Sequence, residues 1–182
     1  MTLAPTPGQT VGPFFHYALP FPHGADLVAP SHPGRIRFHG TVYDGAGDPV
    51  PDALIEIWQA DQDGHLVRES GSLRRDGFTF TGWGRVQTDR VGHYSFATVA
   101  PGSAGSSAPY FSVCVFARGL LDRLLTRAYL PDGNHDTDRL LSSLPPHRRS
   151  TLLAAREADG YRFDIHLQGD RETVFLDFSD HE

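Results

Sequence analysis

From Arg35 onward the sequence falls into short runs in which apolar and polar residues alternate, each closed by Gly, Asp or Pro. A period of two residues puts one side of an extended strand into a core and leaves the other outside; it cannot make a continuous stripe on a helix. RIRFHGTVY places Ile36, Phe38 and Val42 on one face, and DGAGDPV follows as a loop with Asp-Gly and Asp-Pro signals. ALIEIWQA is the next strand and runs into the polar turn DQDGH, while WGRVQTD and GHYSFATV read as a pair of strands joined from Asp89 to Gly92. The loop APGSAGSSAP then leads to YFSVCVFAR and LLTRAYL. In YRFDIHLQ, Tyr161, Phe163, Ile165 and Leu167 alternate with Arg162, Asp164, His166 and Gln168; with RETVFLDF after Gly169-Asp170 it reads as a closing hairpin. The only helical stretch spans roughly Leu144 to Glu157, LPPHRRSTLLAARE, with prolines near its start. The expected fold class is all-β: a single β-sandwich domain with one short helix near the C-terminus.

Residues 1–34 have a different character, dense in Pro, Gly and aromatics and without a sustained period. Disordered segments are usually poor in aromatics, so Phe14, Phe15, Tyr17 and Phe21 predict an extended arm docked on its own domain or on a neighbour. The expected division is therefore an N-terminal arm over 1–34 and a sandwich over 35–182, and a chain of 182 residues suits one core of that kind. A formal charge of -6 argues against nucleic acid and anionic lipid as partners. The single Cys114 closes no intrachain disulfide, MTLAPTPGQT lacks the features of a secretory signal, and no run is long enough for a spanning helix. The expected location is cytoplasmic.

The residues with chemistry form no self-sufficient motif. Ten histidines occur without His-x-His, HExxH or a CxxC pair, and no GxSxG elbow is present. Cys114 lies in the apolar run SVCVFA, where a small hydrophobe is expected to pack. Asp61 and Asp63 in DQDG, and the pair His65 and Glu69, suggest Ca²⁺, but the remaining EF-hand positions are missing and the turn reads as a loop cap.

The order GxVxDxxGxPVxxAxxEIWQAxxxG, then TDxxGxYxFxTVxPG, then YRFDIHLQGDRETVFLDF, resembles the intradiol ring-cleavage dioxygenases from about Arg35 to the end. TPGQTVGPFFH and FARGLLDRLLTRAYLPD are similar to the protocatechuate 3,4-dioxygenase branch of that family, and within it to alpha chains. The resemblance implies an intradiol-type sandwich and Fe³⁺ held by two Tyr and two His, because phenolates favour ferric iron. At the positions that match those ligands this sequence has Leu66, Ala104, Tyr110 and Ser112. His65 and Tyr94 are the nearest substitutes that the sequence offers.

A scaffold without the ligand set implies a subunit with no metal of its own, paired with a beta chain that carries Fe(III). The complex would insert both atoms of O₂ between the hydroxyl-bearing carbons of protocatechuate and give 3-carboxy-cis,cis-muconate. Thr10, Gly12, Pro13 and Phe14 match an arm segment that lines the beta chain's pocket, where Gly lets backbone approach a ligand and Pro fixes direction. Arg127 in LLTRAYL matches an alpha-chain Arg of the same pocket; its guanidinium suits a substrate carboxylate, or else an ion pair in the interface. Two rival readings stay open: a self-sufficient catechol or hydroxyquinol dioxygenase, and a transthyretin-like or carbohydrate-binding sandwich without catalysis.

Overall fold

The structure, a computed structural model, describes residues 15–69 and 73–178. Two sheets face each other. The first has the order β4-β1-β8-β7, with β9 also on β1, and contains β1 (Arg35–Tyr43), β4 (His93–Val99), β7 (Ala155–Glu157), β8 (Gly160–Arg162) and β9 (Ile165–His166). The second has the order β3-β2-β5-β6, from β2 (Leu54–Gln59), β3 (Trp83–Gln87), β5 (Tyr110–Phe116) and β6 (Leu124–Tyr129). The alternating residues meet as expected: Phe38 of β1 stacks on Phe111 of β5 at 4.1 Å, joining the sheets at their centre. Phe96, Ile55, Ile57, Val113 and Phe163 close the core around them.

Asp89 to Gly92 does join β3 to β4, but the two do not pair: β3 hydrogen-bonds to β2 and β4 to β1, in opposite sheets. Thr88 Oγ1 donates to the Val50 carbonyl and accepts from Ala53 N–H, holding the chain at the crossing. The hairpin expected at the C-terminus does not form as a regular ladder either. YRFDIHLQ lies parallel to β1 and breaks at Phe163 and Asp164, where the Asp164 carboxylate takes the Thr41 N–H that a ladder carbonyl would take. Gly40 permits this close passage, since a Cβ there would collide with the Phe163 carbonyl. RETVFLDF forms no regular strand; after one contact at Thr173 it leaves for β6, where Thr126 Oγ1 donates to the Val174 carbonyl.

The expected helix from Leu144 to Glu157 is also shorter. Helical turns occupy Pro146–Arg149 (α3) and Ser150–Leu152, preceded by α2 (Arg139–Ser143), whereas Ala155–Glu157 pairs with β8. Ala154 N–H donates to the Tyr129 carbonyl, so sheet pairing ends the helix. Upstream, a turn at Phe15–Ala18 (α1) leads to Phe21, which stacks on Trp83 at 5.6 Å, and to Leu27, which is buried in the core.

Candidate functional site

A concave feature lies at one end of the second sheet, on its outward face. A cavity of about 440 Å³ is bounded by Trp58, Leu66, Arg68, Ala104, Tyr110 and Ser112 among others. All four positions at which the resemblance implies metal ligands therefore surround one space, although residues 66, 104 and 110 come from three separate segments.

Local sequence explains the convergence. The Asp61 carboxylate accepts from the N–H groups of Asp63 and His65, closing the DQDG turn, and Leu66 then bridges back to Ala60 at the end of β2. Gly64, at φ +85, lies so close to Ser103 that a Cβ would run into its carbonyl, and Gly102 N–H donates to the Asp61 carbonyl. That packing brings the 101–105 loop, with Ala104, beside Leu66. Tyr110 and Ser112 point outward from β5 because Phe111 and Val113 point into the core.

The donor set does not fit a ferric ion. Leu66 and Ala104 offer no ligand atom, leaving a phenol and a hydroxyl. The Arg127 guanidinium stands 4.2 Å over the Tyr110 ring, so a cation at that phenol would meet a second cation. The proposed substitutes are elsewhere. Tyr94 is buried in the core and donates its O–H to the Phe163 carbonyl at 2.6 Å. His65 sits on the turn surface with Nδ1 3.3 Å from Asp61 Oδ2. Asp61, Asp63 and His65 do form a compact group, but the Asp61 carboxylate is engaged by its own turn, as expected for a loop cap.

Arg127 lies on β6 directly across from Ser112, which is itself across from Trp58. Its Nη1 donates to the Tyr129 hydroxyl at 3.0 Å, and that hydroxyl donates to Asp138 Oδ1, also at 3.0 Å. Burial pushes the Tyr129 phenol up to about 12 despite the pull of Arg127, so it stays a protonated donor. The Asp138 carboxylate also accepts from the N–H groups of Ala108, Leu140 and Leu141, capping α2 and tethering the loop before β5. This chain from Arg127 to Ala108 was missed in the sequence; Asp138 immediately before RLLSS is the cap signal that points to it. Of the other expected site residues, Thr10, Gly12, Pro13 and Phe14 lie outside the described residues.

The protein is 39% identical to the protocatechuate 3,4-dioxygenase alpha chain of Burkholderia cepacia, over 97% of this chain and 98% of that one. A family model described as Dioxygenase matches residues 12–109. The chain belongs to the intradiol dioxygenase family. The corresponding alpha chain of Pseudomonas putida is 37% identical over the same shares. The B. cepacia beta chain is more distant, 31% identical over 74% of this chain and 65% of its own length. Among solved structures, the dioxygenase domain of a carbohydrate-binding fusion from Streptomyces sp. SirexAA-E superposes with a TM-score of 0.61 at 28% identity, covering 91% of this chain and 99% of that one. The all-β sandwich expected from alternation is thus the fold of the family, and no helix among the described residues is long and apolar enough to cross a membrane.

Proposed function

We propose that this chain is the alpha-type subunit of a protocatechuate 3,4-dioxygenase, without iron of its own, acting with a beta-type chain that carries Fe(III) in the cytoplasm. The pair would cleave protocatechuate with O₂ to 3-carboxy-cis,cis-muconate. One observation carries the reading: the positions of the family's ligand set form a real cavity, and Leu66 and Ala104 there cannot hold a metal. The near-complete span of the alpha-chain relatives supports it, because likeness reaches both the arm and the TRAYLPD segment. A self-sufficient catechol or hydroxyquinol dioxygenase would need ligands that the cavity lacks, and a plain binding module would need no such alpha-chain likeness.

In this reading the arm over residues 1–34 is held to this chain's own sandwich by Phe21 and Leu27, while Thr10, Gly12, Pro13 and Phe14 line the partner's pocket and Arg127 draws the substrate carboxylate. Co-expression of this chain with its beta-type partner, followed by protocatechuate turnover, tests the assignment. Arg127→Ala in the assembled pair should raise KM for protocatechuate more than for catechol, which has no carboxylate. Equal effects on both would reduce Arg127 to an interface residue, and loss of turnover with the pair intact on Gly12→Val is expected if the arm reaches the substrate.

A further inference from the structure

We infer that His39 and His93, on the outward face of the first sheet, form a binding site for a divalent transition-metal ion of the zinc, nickel and copper class. In the β1–β4 ladder His93 pairs with Thr41 and His39 with Ser95, so the two histidines are diagonal neighbours. They point outward because Phe38, Tyr94 and Phe96 turn into the core. His39 Nδ1 lies 3.1 Å from His93 Nε2, and on its other side His39 Nε2 lies 2.9 Å from Glu157 Oε2. Glu157 comes from β7 and reaches His39 over Gly160, which carries no side chain to block it.

The partners constrain where the ring hydrogens sit. Arg37 Nη2 is 3.3 Å from His93 Nε2, and a guanidinium only donates, so that nitrogen presents its lone pair. An ionised carboxylate only accepts, so His39 Nε2 carries the hydrogen and the neutral ring presents its lone pair at Nδ1. Two imidazole lone pairs therefore converge at 3.1 Å, an arrangement that a shared cation completes. Metal–imidazole bonds of about 2.0–2.1 Å would span that separation with an angle of about 95–100° at the ion, between square and tetrahedral geometry. A carboxylate on the far nitrogen of a ligating imidazole fixes its tautomer and raises its basicity, and Glu157 stands in that position. Burial, with Arg37 and His39 beside it, pushes the His93 imidazole down and keeps it in the neutral form that ligates. Arg37 opposes a second cation, but its contact with His93 is exposed, where water screens the repulsion. This site is independent of the partner's iron and of the proposed function.

Calorimetric titration of the untagged, chelator-treated full chain with NiCl₂, and separately with ZnCl₂, tests it. One ion per chain is expected. His93→Ala and, independently, His39→Gln should abolish binding, with circular dichroism to show that each variant is folded; should the buried His39 not tolerate exchange, the partly exposed His93 decides alone. Glu157→Gln should weaken binding about ten-fold or more. Arg37→Ala removes the repelling charge and should tighten binding about three-fold or more. His65→Ala, which takes the imidazole from the Asp61–Asp63–His65 group, should change nothing. Absence of binding, binding that survives His93→Ala, loss of binding in His65→Ala, or unchanged affinity in both Glu157→Gln and Arg37→Ala would overturn the inference. Iron held by the isolated chain would instead overturn the proposed function and leave the His93-dependent binding measurable.

Discussion

Asp138 joins the helix cap, the loop before β5 and the Arg127 side chain, so its replacement by Ala should be felt at all three. The carboxylate is buried and accepts four hydrogen bonds, from Ala108 N–H at 3.1 Å, Tyr129 O–H at 3.0 Å, Leu140 N–H at 3.0 Å and Leu141 N–H at 3.1 Å. Loss of the cap costs about 1 kcal/mol. Leaving the Ala108 N–H and the Tyr129 O–H without acceptors costs about 1–3 kcal/mol each. Release of a buried charge offsets part of that sum, and a net destabilisation of about 3–5 kcal/mol is expected. For a chain of this size that lowers the melting temperature by roughly 6–20 °C. Asp138→Asn keeps Oδ1 for three donors but turns an amide N–H₂ toward Ala108 N–H, so it should lose about half as much. Circular dichroism melts of the wild type and both variants measure this directly. A fall of less than about 3 °C for Asp138→Ala would refute the view that these bonds hold the loop and the Arg127 relay together.

Stability should also fall as pH drops below the ordinary histidine value of 6.5. Burial, with Arg37 and His39 beside it, pushes the His93 imidazole down, and burial with Arg171 nearby does the same to His166. The unfolded chain then binds more protons than the folded one below pH 6.5, and each proton favours unfolding. Urea midpoints measured between pH 7.5 and 5.5 should decline, and a flat or rising series would contradict the assignment. Burial next to Glu56 pushes the Cys114 thiol up to about 12, so a thiol-exchange reagent at pH 8 should react with the single cysteine only after unfolding. Full reaction of the folded chain within minutes would show that Cys114 is not protected.

Strands β1 to β6 were readable because each carries its own alternation, and the register of the Phe38–Phe111 stack follows from which residues that alternation turns inward. Which sheet a strand joins was not readable. The turn from Asp89 to Gly92 looks like a hairpin in one dimension, yet its flanking strands pair with β1 and β2, partners distant in sequence. The closing hairpin stops short for a related reason: RETVFLDF alternates well, but past the Thr173–His166 contact its hydrogen bonds go to Thr151 and to Thr126 and Leu125 on the other sheet. The helix over LPPHRRSTLLAARE was cut short by tertiary pairing that propensity does not encode. At the site, the family pattern identified the positions, but not that Leu66, Ala104, Tyr110 and Ser112 would still enclose open space. That depends on the close packing of Gly64 against Ser103, a contact between loops that no local pattern records.

In the proposed assembly this chain keeps the family scaffold while the metal resides on another chain. Elemental analysis of the chain purified alone and of its assembled pair with the beta-type partner tests it most directly. Iron far below one per chain is expected for the isolated protein, and close to one per pair for the complex, where the visible absorption of a tyrosinate-iron centre should appear. Near-equimolar, tightly held Fe³⁺ on the isolated chain with that same absorption would contradict the claim.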